Sequence, residues 1–196
     1  DLLLDNGQVS APALQRFGRL FERLNLPAQE LQTLARQLQA AAQAAKTPGP
    51  AGAGTHLMPQ QTPQLVWLGR SPGTLAALEN FITLLPEPTP VNLNTAPAEV
   101  LMASLPGLDL AAARQLVQLR ERRHWATLDA ARQAMGPVGA AVQAPQHSVQ
   151  SRYFQVLGRM RIDNVVQEDL ALVLRDGQQV RMLWRVRRPI RVTSAP

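Results

Sequence analysis

The chain has 196 residues, 45% of them hydrophobic and 17% charged, which is enough apolar content to bury one core or two small ones and excludes a disordered tail. Cysteine is absent, so neither a disulfide framework nor a thiolate metal site is available. The formal charge is +6, and nine arginines against four acids between Arg152 and Arg191 assign the surplus to the C-terminal part. Lys46 is the one lysine, a bias that fits base composition better than a selected phosphate-binding surface. Four Phe, three Trp and one Tyr offer little for stacking on bases. No run approaches the roughly 18–20 apolar residues of a membrane span, and no basic stretch precedes an apolar one as in a signal peptide.

The sequence opens at Asp1 inside the apolar run Leu2-Leu3-Leu4, as expected of a trimmed or processed piece. Residues 11–45 then read as a helical pair. Phe17, Leu20, Phe21 and Leu24 recur at helical spacing, Asn25-Leu26-Pro27 interrupts, and Leu31, Leu34 and Leu38 resume. Ala44–Pro63 is dense in Pro and Gly and poor in large apolar residues, which predicts a mobile loop. A short helix is expected over Leu75–Leu85 with Phe81 and Ile82 facing inward, ended by Pro86, Pro88 and Pro90.

Residues 91–129 are the most informative stretch. Thr95 is placed to cap a helix beginning at Ala96, with Pro97 in its first turn and Glu99 complementing the dipole. Leu101 and Leu105 share a face before Pro106-Gly107 ends the helix, glycine supplying positive φ. Asp109 can cap a second helix with an apolar stripe of Leu110, Ala113, Leu116 and Val117, opposite Arg114, Arg120, Arg122 and Arg123. This helix-hairpin-helix pattern binds DNA when two glycines flank the hydrophobic loop residue and let amides approach a phosphate. Here Asp109 stands in the second glycine's place and opposes that approach. The four arginines are more simply a solvated face. FERLNLPAQELQTLA aligns loosely with LMASLPGLDLAAARQLV, so the two hairpins read either as a weak internal repeat or as unrelated amphipathic pairs.

Past Pro145 the period becomes 2. Phe154, Val156, Met160 and Ile162 alternate with Tyr153, Gln155, Leu157, Arg159 and Arg161. Leu170, Leu172 and Leu174 share a face, and Asp176-Gly177 turns into Val180, Met182, Trp184 and Val186, opposite Arg181, Arg185 and Arg187. The pattern predicts a three-stranded antiparallel meander with one greasy face that something must cover and one basic face. His56, His124 and His147 are scattered, no metal spacing appears, and no nucleophile elbow or paired acids are present. Nothing points to an enzyme.

In order, a helical pair, the string VNLNTAP-x-EVL with LPGL behind it, Ser151, Tyr153, Phe154 and Val156, and an arginine-rich three-strand end resemble the K-type minor pseudopilins of the bacterial type II secretion system. Asn92, Asn94, Thr95, Ala96 and Leu101 carry the hairpin part of the resemblance, together with Pro106 and Gly107 as structural positions. The resemblance implies an α+β, pilin-like fold in three parts. Residues 1–10 lead out of a strand, residues 11–148 form an inserted all-α domain, and residues 149–196 form the C-terminal meander. The inserted domain divides into the pair 11–45, a flexible loop 46–64 and the helix-hairpin-helix region 65–148, of the SAM-like kind. It further implies a long helix upstream of Asp1, lying over the sheet and anchoring the protein in the inner membrane of a Gram-negative bacterium with the rest in the periplasm. Leu2, Leu3, Leu4, Leu170, Leu172 and Leu174 are the expected partner surface for that helix. The implied role is structural: capping the pseudopilus tip and starting its assembly with the I-type and J-type minor pseudopilins. The major pseudopilin, the outer-membrane secretin and exported cargo are further candidate partners. Family members commonly bind calcium through an acidic stretch after the first helical pair, but Gln39–Met58 contains no Asp or Glu, so that site is not expected here and no cofactor is. The competing function is a helix-hairpin-helix DNA-binding protein.

Overall fold

The computed structural model describes residues 2–4, 6–46, 58–162 and 165–191. Its contacts divide the chain into a helical unit, Asp1–Val149, and a sheet unit, Gln150–Pro196.

In the helical unit, α1 (Ala11–Arg23) starts where the Ser10 side chain accepts from the Ala13 amide, with Pro12 in the first turn where its missing N–H costs nothing. It ends in a Schellman arrangement, the Leu26 amide donating to the Phe21 carbonyl and Asn25 to Glu22, which needs the positive φ of 52° that asparagine tolerates at Asn25. That turn reverses the chain into α2 (Ala28–Lys46). Leu20 and Phe21 of α1 and Leu31, Leu34 and Leu38 of α2 build one core with Leu65, Leu68 and Leu78. Residues 62–64, expected in the flexible loop, instead open a 3-10 helix, Thr62–Leu68, whose Leu65 and Leu68 enter that core. Lys46, the first expected loop position, closes α2, residues 58–61 are non-helical, and positions 47–57 lie outside the described residues.

Helix α3 runs over Pro72–Leu78 and not Leu75–Leu85. The Ser71 side chain accepts from the Thr74 amide and moves the start forward. Past Leu78 the chain turns, and Phe81 and Ile82 pack inward from non-helical backbone. Short strand β1 (Val91–Asn92) pairs parallel with β2 (His147–Ser148), so the string leading into the hairpin is tied to the end of the unit. Next come α4 (Ala98–Ser104), α5 (Leu110–Arg122), α6 (Leu128–Ala134) and a second 3-10 helix, Gly136–Ala141. A second core gathers Leu93, Leu101, Leu105, Leu108, Ala113, Leu116, Trp125 and Met135. Met102, on α4, packs against both cores.

The sheet unit is an antiparallel meander of β3 (Tyr153–Ile162), β4 (Val165–Asp176) and β5 (Gln179–Arg191), in the order β3-β4-β5. Gly177 takes φ 58° in the two-residue connection between Asp176 and Gln179. The simple alternation expected of β5 fails. Trp184 pairs with Leu172 and Met182 with Val173, leaving Leu183 as a bulge that moves the side chains on its two sides to opposite faces.

Candidate interaction surfaces

The hairpin is fixed by backbone and amide bonds, and Thr95 does not cap it. The Asn92 carbonyl accepts from the amides of both Thr95 and Ala96, holding these residues in a turn, and Ala96 precedes a proline that disfavours helical backbone. Helix α4 therefore begins after Pro97 with no side-chain cap, and Thr95 is exposed. Asn92 Oδ1 accepts from the Asn94 amide at 3.0 Å. Asn94 in turn accepts from the Trp125 amide (2.9 Å) and donates Nδ2 to the carbonyls of Trp125 (2.8 Å) and Val149 (3.0 Å), so one side chain joins three segments distant in sequence. Pro106 and Gly107 form a tight turn in which Leu108 donates to the Leu105 carbonyl, Gly107 has φ 84°, and both residues are exposed.

The same geometry bears on phosphate binding. Asp109 Oδ1 accepts from the Ala112 amide at 2.7 Å, so a carboxylate already occupies the N-terminus of α5. Arg120 Nη1 donates to the Leu93 carbonyl at 2.6 Å, and partial burial lowers its pKa. It is a strut between helix and turn. Arg114, Arg122 and Arg123 remain on the exposed face.

Leu2 is buried in the first core, Leu3 packs against it, and Leu4 is exposed. The expectation that Leu2 to Leu4 form part of a sheet surface is thus corrected: an isolated bridge between Leu3 and Val9 folds this segment back onto the helical unit, and Leu2 fills its core. Leu170, Leu172 and Leu174 do share one face, with Tyr153, Gln155 and Leu157 on one side and Trp184 and Val186 on the other. However, Leu172 and Leu174 are buried and Leu170 half-buried, so they are not an open surface.

The open apolar surface is the reverse face, which the leucine pattern did not reveal. The register places Phe154, Val156, Met160 and Ile162 of β3 with Val165 of β4 and Val180 and Met182 of β5, and all seven are between 41% and 65% exposed. The bulge at Leu183 brings Val180 and Met182 to this side. Amid them, Asp169 is held by Arg185 Nη2 at 2.7 Å and Arg187 Nε at 3.1 Å, and the Arg185 hydrogen bond holds its carboxyl below the usual range. Arg175 stacks over Phe154, 5.3 Å from the ring centroid. Seven exposed apolar side chains on one face of the sheet make it a candidate interaction surface.

Sequence reasoning also missed Arg70. It is 7% exposed and donates to the carbonyls of Leu68 and Glu30 and to Gln37 Oε1, fastening the segment after the first 3-10 helix to α2. Among the described residues no group of three His, Cys, Asp or Glu is placed to hold a metal ion. Also among them, no helix is long and apolar enough to cross a membrane.

Comparison with known proteins agrees with this architecture. Two family models, both described as type II secretion system protein K, match residues 1–87 and 91–150. No curated protein matches the chain. A chain in the crystal structure of the GspK-GspI-GspJ complex from the enterotoxigenic Escherichia coli type 2 secretion system superposes with a TM-score of 0.63 at 19% identity, over 91% of this chain and 72% of that one. That likeness establishes the α+β, pilin-like fold. With the two family matches between them spanning the helical unit, the chain belongs to the protein K family of the type II secretion system, the K-type minor pseudopilins.

Proposed function

We propose that this minor pseudopilin caps the tip of the type II secretion pseudopilus and nucleates its assembly with I-type and J-type minor pseudopilins, for export of folded proteins across the outer membrane. The family is structural and not catalytic, and it implies a periplasmic, membrane-associated location. The observation that carries the reading is the exposed apolar sheet face of Phe154, Val156, Met160, Ile162, Val165, Val180 and Met182. Such a face needs a covering layer. An N-terminal helix upstream of this sequence, anchored in the inner membrane, supplies that layer and aligns the subunit with its partners. The helical unit, with its two closed cores, is then the bulk that prevents further subunits from adding above it. The likeness to a chain of the GspK-GspI-GspJ complex supports the choice of partners.

Co-purification with the periplasmic parts of the I-type and J-type pseudopilins of the same organism, followed by light scattering, tests the reading. A stable heterotrimer with no DNA retention is the expected result. Failure to associate even with the upstream helix present, together with salt-sensitive DNA binding weakened by Arg114→Ala, would overturn it.

A further inference from the structure

We propose that His147 is an acid-sensitive joint between α1 and the C-terminal end of α4, able to loosen the helical unit locally when protonated. The ring is 1% exposed, carried on β2 beside Val91. Its Nδ1 accepts from the Gln143 amide at 3.1 Å, which assigns the neutral tautomer with the proton on Nε2. Nε2 is buried and makes no hydrogen bond to any described residue. Around the ring, α1 is strapped on both sides: Arg16 Nη1 donates to Gln146 Oε1 at 2.6 Å, and Arg19 Nε donates to the Ala103 carbonyl at 2.8 Å.

Helix α1 presents Arg16, with Arg19 beside it. Burial lowers the pKa of both, and Arg19 lowers that of Arg16 further. The end of α4 presents the Ser104 backbone, and the segment before β2 presents Gln143 and Gln146; none of these is charged. No carboxylate is among them. Burial, chiefly, and then Arg16 hold the imidazole below its ordinary pKa, while neighbouring backbone works in the other direction.

A proton arriving here must go to Nδ1, because Nε2 already carries one. It therefore displaces the Gln143 amide and sets an imidazolium beside Arg16 in a site with little water. Separating α1 from α4 and the Gln143–His147 turn relieves both costs. The sign follows from the depressed folded-state pKa. Above the unfolded value of about 6.5 the joint is fully closed. As pH falls from there toward the folded-state pKa, the ratio of closed to open forms drops by up to tenfold per unit.

An NMR titration of this chain's histidines, with unfolding midpoints and amide exchange measured near about pH 7.5 and about pH 5, tests the proposal. The expected results are an imidazole pKa below about 6.5 for His147 and, once the slower intrinsic exchange in acid is divided out, lower protection near about pH 5 in residues 103–105 and 143–148 with the protection of the sheet unchanged. His147→Gln, which cannot titrate, should lose most of the pH-dependent shift in midpoint, while His124→Gln, at an exposed position, should keep it. An ordinary or raised His147 pKa, or an equal acid shift in His147→Gln, would overturn the joint. If His147→Gln does not fold, the wild-type titration and exchange decide alone.

Discussion

The helical unit and the sheet unit use their apolar residues in opposite ways. In the first, Leu93, Leu101 and Leu105 are fully buried, and Asn94 and Arg120 satisfy backbone groups beside them. In the second, seven large apolar side chains stand exposed on one face of a three-stranded sheet. A layer that buries its own surface is finished, whereas an exposed apolar sheet face is half of a packing interaction. Stability is stored in the helical unit, and the sheet unit keeps surface for something else.

Four substitutions probe that contrast. The largest loss is expected from Leu101→Ala, which opens a cavity in the second core and should cost about 2–5 kcal/mol in denaturant unfolding of this chain. Next is Asn94→Ala. It strands the Trp125 amide and the carbonyls of Trp125 and Val149 and should cost about 2–3 kcal/mol, with Asn94→Asp failing to rescue because it keeps the acceptor and loses both donors. Gly107→Ala should cost about 1 kcal/mol, since no described residue lies within 4 Å of the added methyl and the φ of 84° is what opposes it. The smallest effect is expected at the sheet: Val156→Ser should change the stability of this chain by less than about 0.5 kcal/mol, yet weaken recovery of the complex with the I-type and J-type partners. A large stability loss from Val156→Ser would mean that the face is already packed and would remove the contrast.

Much of this was legible in the sequence where a local rule governs. The α1–α2 turn follows from Asn25, the hairpin turn from Pro106-Gly107, the α5 cap from Asp109, and the strand period from alternation in β3 and β4. What was not legible depends on partners distant in the chain. Thr95 looks like a cap until the Asn92 carbonyl takes its amide and that of Ala96. Arg120 looks like part of a basic face until its guanidinium reaches Leu93. Arg70 gives no local sign that it bonds to the Glu30 carbonyl. The open sheet face was misplaced for a similar reason: the β3–β4 register sets Phe154, Val156, Met160 and Ile162 on the face opposite Leu170, Leu172 and Leu174, and the bulge at Leu183 adds Val180 and Met182 to them.

The contrast is tested most directly by amide hydrogen exchange on this chain with and without the proposed upstream helix. Added protection is expected in β3, β4 and β5, with little change in α4 and α5. Unchanged exchange across the sheet, or protection gained mainly in the α4–α5 hairpin, would contradict the claim that the sheet is the unfinished layer.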